Sequence, residues 1–443
     1  MTSPAIIPTS TSNAQPGTAR AALGYRDFRI IWIGLFASQI GTWMQNLALP
    51  AYIDQRTHQA TWVAIMGFAQ LGPLLLLSVP GGVLADKFPR KPWLITNQGA
   101  QLVLSLAIAV LIARNSSLMA IFVVQLGIGT FNALGAPAMQ SSIPLLVSRT
   151  DLPGALALNA VMLNGSRVIG PAIAAALIGF GVTVPQIFVI NAGTYLFAVA
   201  GIALISIPHV RSQSVERGFQ KILSGLRIAR SRSVLSRMLL AMTMFSFVCL
   251  PYVSLFPSIA RLNFGIDAGG PLYKWLYATW GLGACLGGLA CGSVLLRFDR
   301  RALITYAFRG FAVTMFVFAL ASGPVLAIPI AFLLGFFYFL AVTPMVTTFQ
   351  VNLRDHERAR VMSLWFMAFG GTVPIGALVF GPVVDWIGPK PMLFVSVAGA
   401  IFLSWWCDLI RRPAETLPED ETGDALQTRH AAGLDEQGVV AGE

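Results

Sequence analysis

Twelve apolar runs, each long enough to cross a bilayer as a helix, limit what this chain of 443 residues can fold into. About 20 residues rising 1.5 Å each span the roughly 30 Å hydrocarbon core of a membrane. The first six runs lie near 28–53, 61–85, 93–113, 118–143, 154–179 and 184–206. The other six lie near 236–260, 272–296, 302–321, 324–349, 360–386 and 390–410. The pattern predicts an all-α membrane protein with twelve transmembrane helices.

The composition excludes several other classes of protein. Hydrophobic residues make up 56% of the chain and charged residues only 11%, too few to cover a water-soluble protein of this size. The net charge of +11 does not indicate nucleic-acid binding, because Lys and Arg occupy short turns rather than one basic face. The sequence has no Walker-type glycine loop, His-rich cluster or Ser-His-Asp set. We therefore expect no cofactor, no metal site and no enzymatic activity.

The placement of cations between the runs predicts the orientation in the membrane. If the N terminus is cytoplasmic, the outer turns contain only Arg56, Arg114, Arg261, Lys274 and Lys390. The inner side then holds Arg20, Arg26, Arg29, Lys87, Arg90, Lys91, Arg149, the central linker, Arg297, Arg300, Arg301, Arg354, Arg358, Arg360, Arg411, Arg412 and Arg429. Cytoplasmic loops carry an excess of Lys and Arg, so both termini are predicted to be cytoplasmic.

One short motif occurs twice. GVLADKFPRK at 82–91 and GSVLLRFDRR at 292–301 each close an apolar run with a cationic turn, 210 positions apart. The repeat predicts two parallel six-helix halves, 23–206 and 236–412. Such halves enclose a central cavity that opens to either side by rocking.

The linker and the two tails differ in composition from the halves. The linker, 207–235, interleaves Arg and Lys with Phe, Leu and Ile. It is expected to form an amphipathic basic helix on the cytoplasmic membrane surface, with a solvated connector as the alternative. Residues 1–22 and 413–443 are expected to be disordered cytoplasmic tails.

Four motifs resemble the major facilitator superfamily. The loop at 82–91 resembles its signature loop, although Pro89 replaces the usual second glycine, and GSRVIGP at 165–171 resembles the glycine-proline motif of its exporters. GTWMQ at 41–45 and RARVMSL at 358–364 resemble the branch that contains the enterobactin exporter and related efflux proteins. The resemblance covers about 25–412 and implies a secondary transporter of the bacterial cytoplasmic (inner) membrane that exchanges its substrate for protons.

The resemblance also implies a gate. Asp86, at the end of the second run, is expected to face the start of the eleventh and to form a cytoplasmic latch in the outward-facing state. The alternative is a set of ordinary loop charges that report topology, and Leu296 replaces the acid in the second copy of the motif. The candidate gating residues are Gly82, Asp86, Lys87, Arg90, Lys91, Arg358 and Arg360. In the exporter-type motif, Gly165, Gly170 and Pro171 form either a hinge or a close helix contact.

Arg167 lies about thirteen residues into the fifth run, near the bilayer centre. An arginine there costs at least roughly 2.5 to 3.5 kcal/mol unless it faces water or a partner. No Asp or Glu lies comparably deep in any run. Arg167 is either a cavity cation that binds an anionic or hydrogen-bonding part of the substrate, or a clamp on backbone carbonyls.

Polar residues in the first half and aromatic residues in the second half are candidates for lining the cavity. The polar candidates are Gln39, Thr42, Gln45, Asn46, Gln125, Asn132, Asn159 and Asn164, and the aromatic candidates are Tyr252, Trp280 and Tyr338. Hydrogen bonding between helices and simple packing are the alternatives. Such a cavity suits an amphipathic organic molecule, neutral or anionic.

These observations favour export of a small siderophore-like or drug-like molecule. Uptake of a nutrient or anion is the first alternative, and a membrane-embedded scaffold or enzyme is the second. The expected partners are the small-molecule substrate, protons and the lipid bilayer. The chain is expected to act as a monomer.

Overall fold

The computed structural model describes the backbone of residues 14–207, 219–291, 293–295, 298–353 and 355–406. Within these ranges it describes the side chains except at 79, 82–83, 85–86, 141, 164, 219–222, 355–356 and 358–360. The first six long helices are α1 Arg26–Thr57, α2 Ala60–Lys87, α3 Arg90–Ala113, α4 Leu118–Ser142, α5 Leu152–Gly179 and α6 Val184–Leu204. The described residues confirm the predicted all-α architecture.

The second set of long helices contains two interrupted members. The seventh, α7 at 233–264, consists of Ser233–Met244, the π-helical Phe245–Cys249, Pro251–Ser254 and Phe256–Phe264. The eleventh, α11 at 355–387, consists of Asp355–Phe366, the π-helical Met367–Gly371 and Thr372–Ile387. The others are α8 Pro271–Cys291, α9 Arg300–Leu320, α10 Pro324–Val351 and α12 Pro389–Trp406.

Side chains cap the amino-terminal ends of α4 and α9. Ser117 Oγ accepts from the N–H of Ala120 at the start of α4, and an Asp299 carboxylate oxygen accepts from the N–H of Arg301 at the start of α9. Such caps satisfy amide groups that have no partner within the helix.

Length and hydropathy alone identify fewer membrane crossings than the twelve helices. Among the described residues, eight helices meet both criteria, and nine do if one bent helix pair counts as a single span. Two of the helices outside the eight show why. The α1 helix carries the polar residues Gln39, Gln45 and Asn46, and α7 is broken into short pieces.

The halves are built alike and meet most extensively through two helix pairs. Within the first half, α1 packs on α6 and α2 on α4; the equivalent α8 packs on α10 in the second half. Across the interface, α2 packs against α11 and α5 against α8. The repeat makes α2 equivalent to α8 and α5 equivalent to α11, so each cross-interface pair is the counterpart of the other. The interface therefore has the two-fold pseudosymmetry that the sequence repeat predicts.

Close approach of α8 to α10 depends on residues that lack a side chain. A Cβ atom added at Gly283 would lie 1.9 Å from the carbonyl oxygen of Phe332, and one at Gly335 would lie 2.1 Å from that of Trp280. Small residues at such crossings allow the backbones of membrane helices to pack directly.

Part of the N-terminal tail is ordered, which corrects the expectation for 14–22. A short helix, Ala19–Ala22, buries Ala21 and Ala22, and the Gly17 N–H donates to Asp151 Oδ1 at 2.9 Å. The Tyr25 hydroxyl donates to Asp151 Oδ2 at 2.8 Å. One carboxylate in the α4–α5 loop thus holds the segment, which composition alone does not reveal. Residues 1–13 and 413–443 lie outside the described residues.

A helix at Phe219–Ser231 precedes α7 and makes an angle of 116° with its first part. Arg232, between the two, donates to the Asn352 carbonyl at 2.7 Å and to Glu357 Oε1 at 2.9 Å. These bonds tie the linker to the loop between α10 and α11. We call this end of the bundle the linker side and the opposite end the far side.

Candidate functional site

The far side is closed by a charge cluster between the halves. Asp54, near the carboxyl end of α1, is fully buried and accepts from Ser258 Oγ at 2.6 Å. Arg261, near the carboxyl end of α7, donates to the same carboxylate through Nε at 2.8 Å and Nη2 at 3.1 Å. A two-nitrogen contact of this kind is the strongest geometry for an arginine–carboxylate pair.

A second acid closes the far side where α2 meets α11. Asp385, near the carboxyl end of α11, accepts from the backbone N–H groups of Ala60 at 2.6 Å and Thr61 at 2.9 Å. These are the first amides of α2, so the carboxylate also faces the positive end of the helix dipole. Asp54, Arg261 and Asp385 were assigned no functional role from the sequence. The only sequence signal for Asp54 and Asp385 was an acidic residue near the end of an apolar run. The partner of Asp54, Arg261, lies 207 residues further along the chain.

Arg167 lies between the halves, near the middle of its helix. It is the sixteenth residue of the 28-residue α5. Its guanidinium carbon lies 5.3 Å from the ring centroid of Trp43 on α1 and 4.9 Å from that of Phe339 on α10. Both distances suit a cation–π contact. One cation therefore touches aromatic rings from both halves.

The guanidinium group has spare hydrogen-bonding capacity. Arg167 Nε is buried and donates to no atom of the described residues. A guanidinium has five N–H groups, and aromatic faces satisfy its charge only partly. The side chain can therefore accept an anionic or hydrogen-bond-accepting group of a ligand without first losing an ion pair.

The candidate aromatic residues of the second half differ in their access to this region. Tyr252 is fully buried and its hydroxyl accepts from Trp280 Nε1 at 3.0 Å, so it packs inside the half. The rings of Trp280 and Tyr338 stack at 6.2 Å, and Tyr338 meets Phe339 at 4.6 Å. Trp280 and Tyr338 therefore form the wall behind the ring that touches Arg167.

Three of the polar candidates bond to side-chain amides of other helices within the first half. Gln45 Nε2 donates to Gln125 Oε1 at 3.2 Å, and Asn191 Nδ2 donates to Gln45 Oε1 at 2.6 Å. Gln70 Nε2 donates to Asn46 Oδ1. For these three residues, bonding between helices is the observed arrangement. Asn191 and Gln70 complete the network and were not among the candidates.

Four other polar candidates, Gln39, Thr42, Asn132 and Asn159, line a cavity of about 110 Å³ inside the first half. Its remaining polar lining consists of Ser38, Asn97, Gln98, Gln101, Gln140 and Tyr195. These residues lie on the linker-side parts of α1, α3, α4 and α5, with Tyr195 from α6, and Gln140 is exposed. Asn164 lies outside the described side chains.

The candidate gating residues fall into two groups. Lys91 Nζ donates to the carbonyls of Ala203 at 2.7 Å and Ile205 at 2.9 Å, so it caps the end of α6 within its own half. Lys87 is exposed, and Arg90 lies beside it at the start of α3. The helical backbone of α2 includes Gly82. The side chains of Asp86, Arg358 and Arg360 lie outside the described set.

The exporter-type motif contributes a close helix contact. A Cβ atom at Gly170 would lie 2.5 Å from Trp43 Cβ and 2.7 Å from the Ile40 carbonyl oxygen. At Gly165 the nearest such atom is 3.8 Å away, which any small side chain tolerates. Gly170 therefore lets α5 approach α1 where Trp43 reaches Arg167, and Pro171 follows inside the helix.

Comparison with known proteins identifies the relatives of this chain. The family model described as transmembrane secretion effector matches residues 17–429. The enterobactin exporter EntS of Shigella flexneri is 24% identical over 404 residues, which cover 90% of this chain and 96% of the relative. EntS of Shigella boydii serotype 18 is 25% identical over 407 residues with the same coverage.

Solved structures show the same fold at low sequence identity. The nucleoside transporter NupG superposes with a TM-score of 0.67 at 12% identity, covering 88% of this chain and all of NupG. An inward-facing bacterial homologue of the iron transporter ferroportin superposes with a TM-score of 0.64 at 13% identity, covering 86% and 98%. The likeness confirms the twelve-helix architecture predicted from the apolar runs.

Proposed function

Because the chain belongs to the transmembrane secretion effector family of the major facilitator superfamily, we propose that this multi-pass membrane transporter exports a small amphipathic organic molecule by alternating access. The relatives named enterobactin exporters support both the direction and a siderophore-like or drug-like cargo. Transport itself follows from the family, and no enzymatic activity is needed to account for the architecture.

The observation that carries the proposal is the position of Arg167. A cation that touches Trp43 of one half and Phe339 of the other changes its surroundings whenever the halves rock. A cargo shifts the equilibrium between the two conformations only if it binds one of them more tightly than the other. In this proposal, Arg167 binds an anionic or acceptor group of the cargo while the flanking rings pack against its apolar part.

The structure corresponds to one state of the proposed cycle. Asp54, Arg261 and Asp385 join the halves at the far side, whereas the cavity lies toward the linker side. The excess of Lys and Arg supports a cytoplasmic linker side with both termini inside. The state is then inward-facing, ready to take cargo from the cytoplasm. We propose that Asp86 with Arg358 and Arg360 closes the linker side in the other state.

Proton exchange is part of the proposal. The carboxylate of Asp54 is sealed between the halves here and must lose Arg261 and Ser258 when the far side opens. Asp54 is therefore a buried acid whose contacts change during the proposed cycle, and a pH-gradient experiment in vesicles tests the coupling. We also propose that a single copy of the chain performs the whole transport cycle.

Inside-out membrane vesicles test direction and coupling together. With labelled enterobactin as the first cargo, the wild type should accumulate it inside the vesicles, and collapse of the pH gradient should abolish accumulation. Arg167→Gln should reduce the initial rate at least about tenfold, since it removes a charged hydrogen bond of about 1.5 to 3 kcal/mol. Arg309→Gln, at an exposed arginine on α9, is the matched control. Accumulation only in right-side-out vesicles would instead identify an importer.

A further inference from the structure

The amide-lined cavity inside the first half contains buried hydrogen-bond acceptors without a partner. Three buried side-chain oxygens have no donor within the described part of the chain: Asn97 Oδ1, Gln98 Oε1 and Asn159 Oδ1. A buried acceptor without a partner costs about 1 to 3 kcal/mol. Such atoms are uncommon in folded proteins and each calls for a cause.

Three of the neighbouring donors are already used by backbone carbonyls. Asn97 Nδ2 donates to the Trp93 carbonyl at 2.7 Å, which also fixes the direction of its free oxygen. The Thr42 hydroxyl donates to the Ser38 carbonyl at 3.0 Å. Gln101 Nε2 donates to the Asn97 carbonyl at 3.2 Å. The buried unpartnered side-chain atoms among the described residues that line the cavity are all acceptors, and no charged side chain lines it.

The cavity also has space beside the best-fixed of these oxygens. Asn97 is 2% exposed, and Gly135 of α4 faces it. A Cβ atom at Gly135 would lie 3.3 Å from Asn97 Cβ and 3.5 Å from Asn97 Oδ1. The missing side chain keeps open the approach to the acceptor.

The cavity adjoins the Arg167 site. Thr42 lines the cavity, and the next residue of α1, Trp43, contacts the guanidinium. Asn159 and Arg167 belong to the same helix, eight residues apart, which corresponds to about 12 Å along its axis. A ligand of moderate size can therefore reach both places at once.

We infer that this cavity is a second recognition site for the cargo, which takes an uncharged hydrogen-bond-donating head such as a hydroxyl or phenol while Arg167 takes the anionic end. The inference rests on the proposed transport function and adds a chemical requirement to it. The cargo must carry donor groups within about 12 Å of its anionic or acceptor group. A cargo that has only the anion is expected to bind more weakly.

The test uses two probes that differ by a single donor. Purified full-length protein in lipid nanodiscs is titrated calorimetrically with 4-hydroxybenzoate and with 4-methoxybenzoate. Both carry the carboxylate for Arg167, but only the first can donate to the cavity oxygens. The wild type should bind the hydroxyl probe about two- to tenfold more tightly, which corresponds to one net hydrogen bond of 0.5 to 1.5 kcal/mol.

Variants locate the preference. Asn97→Leu and, independently, Gly135→Ala should remove the difference between the probes. Gly99→Ala, on the same helix as Asn97 with open space around its Cβ, and Asn263→Leu, whose amide bonds elsewhere, should retain it. Arg167→Gln should weaken both probes equally. Thermal unfolding of each variant shows that it is folded.

Three results would overturn the inference: equal binding of the two probes by the wild type, no binding of either, or a preference that survives both cavity variants. The first and third indicate that the cavity holds only water. Vesicle transport that persists alongside any of these results leaves the proposed function standing. Loss of transport with an intact probe preference would overturn the proposed function alone.

Discussion

The two halves share the same arrangement of helices but differ in the side chains that fill their interiors. The first half joins its helices with amides and keeps a polar cavity, whereas the second is filled by interlocking aromatic rings. Phe245 packs edge-on against Phe308 at 5.2 Å and against Phe311 at 5.1 Å, all three fully buried. The ring pairs continue through Tyr252, Phe256, Tyr273, Tyr277 and Trp280.

This difference suggests a division of labour within the duplicated fold. Aromatic pairs add about 0.5 to 1.5 kcal/mol each beyond their buried area and leave little free space. Hydrogen bonds between membrane helices are worth about 0.6 kcal/mol on average, so an amide interior can rearrange at lower cost. The second half then provides a firm wall, and the first provides the adaptable polar surface.

The largest expected effect is a loss of stability when an aromatic ring is removed from the interior of the second half. Phe311→Ala should destabilise the protein by about 3 to 5 kcal/mol, because it leaves a cavity among rings that cannot collapse. Unfolding in a denaturing detergent titration would measure the loss. Phe316→Ala, on the same helix but 45% exposed, should cost far less. Similar losses for the two would show that the aromatic interior contributes no special rigidity.

The next effect concerns the contact that joins the two interiors at the far side. Asp54→Asn leaves Arg261 without a counter-charge, and removing one partner of a buried pair costs about 3 kcal/mol or more in the closed state. The far side should therefore open. Spin labels at Arg114 and Leu262, one exposed position in each half, should report a longer distance. Asp267→Asn, at an exposed acid bonded to Gln55, serves as the comparison and should leave the distance unchanged.

A smaller effect tests the amide interior itself. Gln45→Leu removes the acceptor of Asn191 and the donor of Gln125, at a cost of about 1 to 2 kcal/mol for the two bonds. The same detergent titration applies. Ile33→Ala, at a residue on the same helix that is 56% exposed, is the control. A loss as large as that of Phe311→Ala would erase the proposed difference between the halves.

The smallest effect lies at the edge of the first half. Bonds from Gly17 N–H and from Tyr25 and Ser148 lower the pKa of Asp151 below its ordinary 3.8. The resulting stabilisation is complete above about pH 4 and disappears as the pH falls through the lowered pKa. Asp151→Asn should loosen 14–22 by about 1 kcal/mol at neutral pH. Hydrogen exchange would show faster exchange there, with α8 as internal reference; unchanged protection would contradict the anchoring role.

The sequence predicted the positions of the helices better than it predicted which residues of each helix face a neighbour or the cavity. Arg167 stood out because an unpaired charge deep in an apolar run is costly wherever its helix packs. The amides were ambiguous: Gln39 and Thr42 line the cavity, whereas Gln45, only three residues after Thr42, bonds inside the half. Side chains within one helical turn point toward different neighbouring helices. The local sequence does not indicate which helix each side chain will contact.

The chain by itself determined its twelve helices, its two related halves and its central arginine. These depend on run length, on repetition and on the cost of charge in hydrocarbon, which are all local properties. Only the tertiary structure decided that Asp54 meets Arg261, that Asp385 caps α2, and that Asn97, Gln98 and Asn159 share one cavity with acceptors to spare. These contacts arise where separate helices pack, and packing brings together residues whose separation in sequence carries no information about their distance.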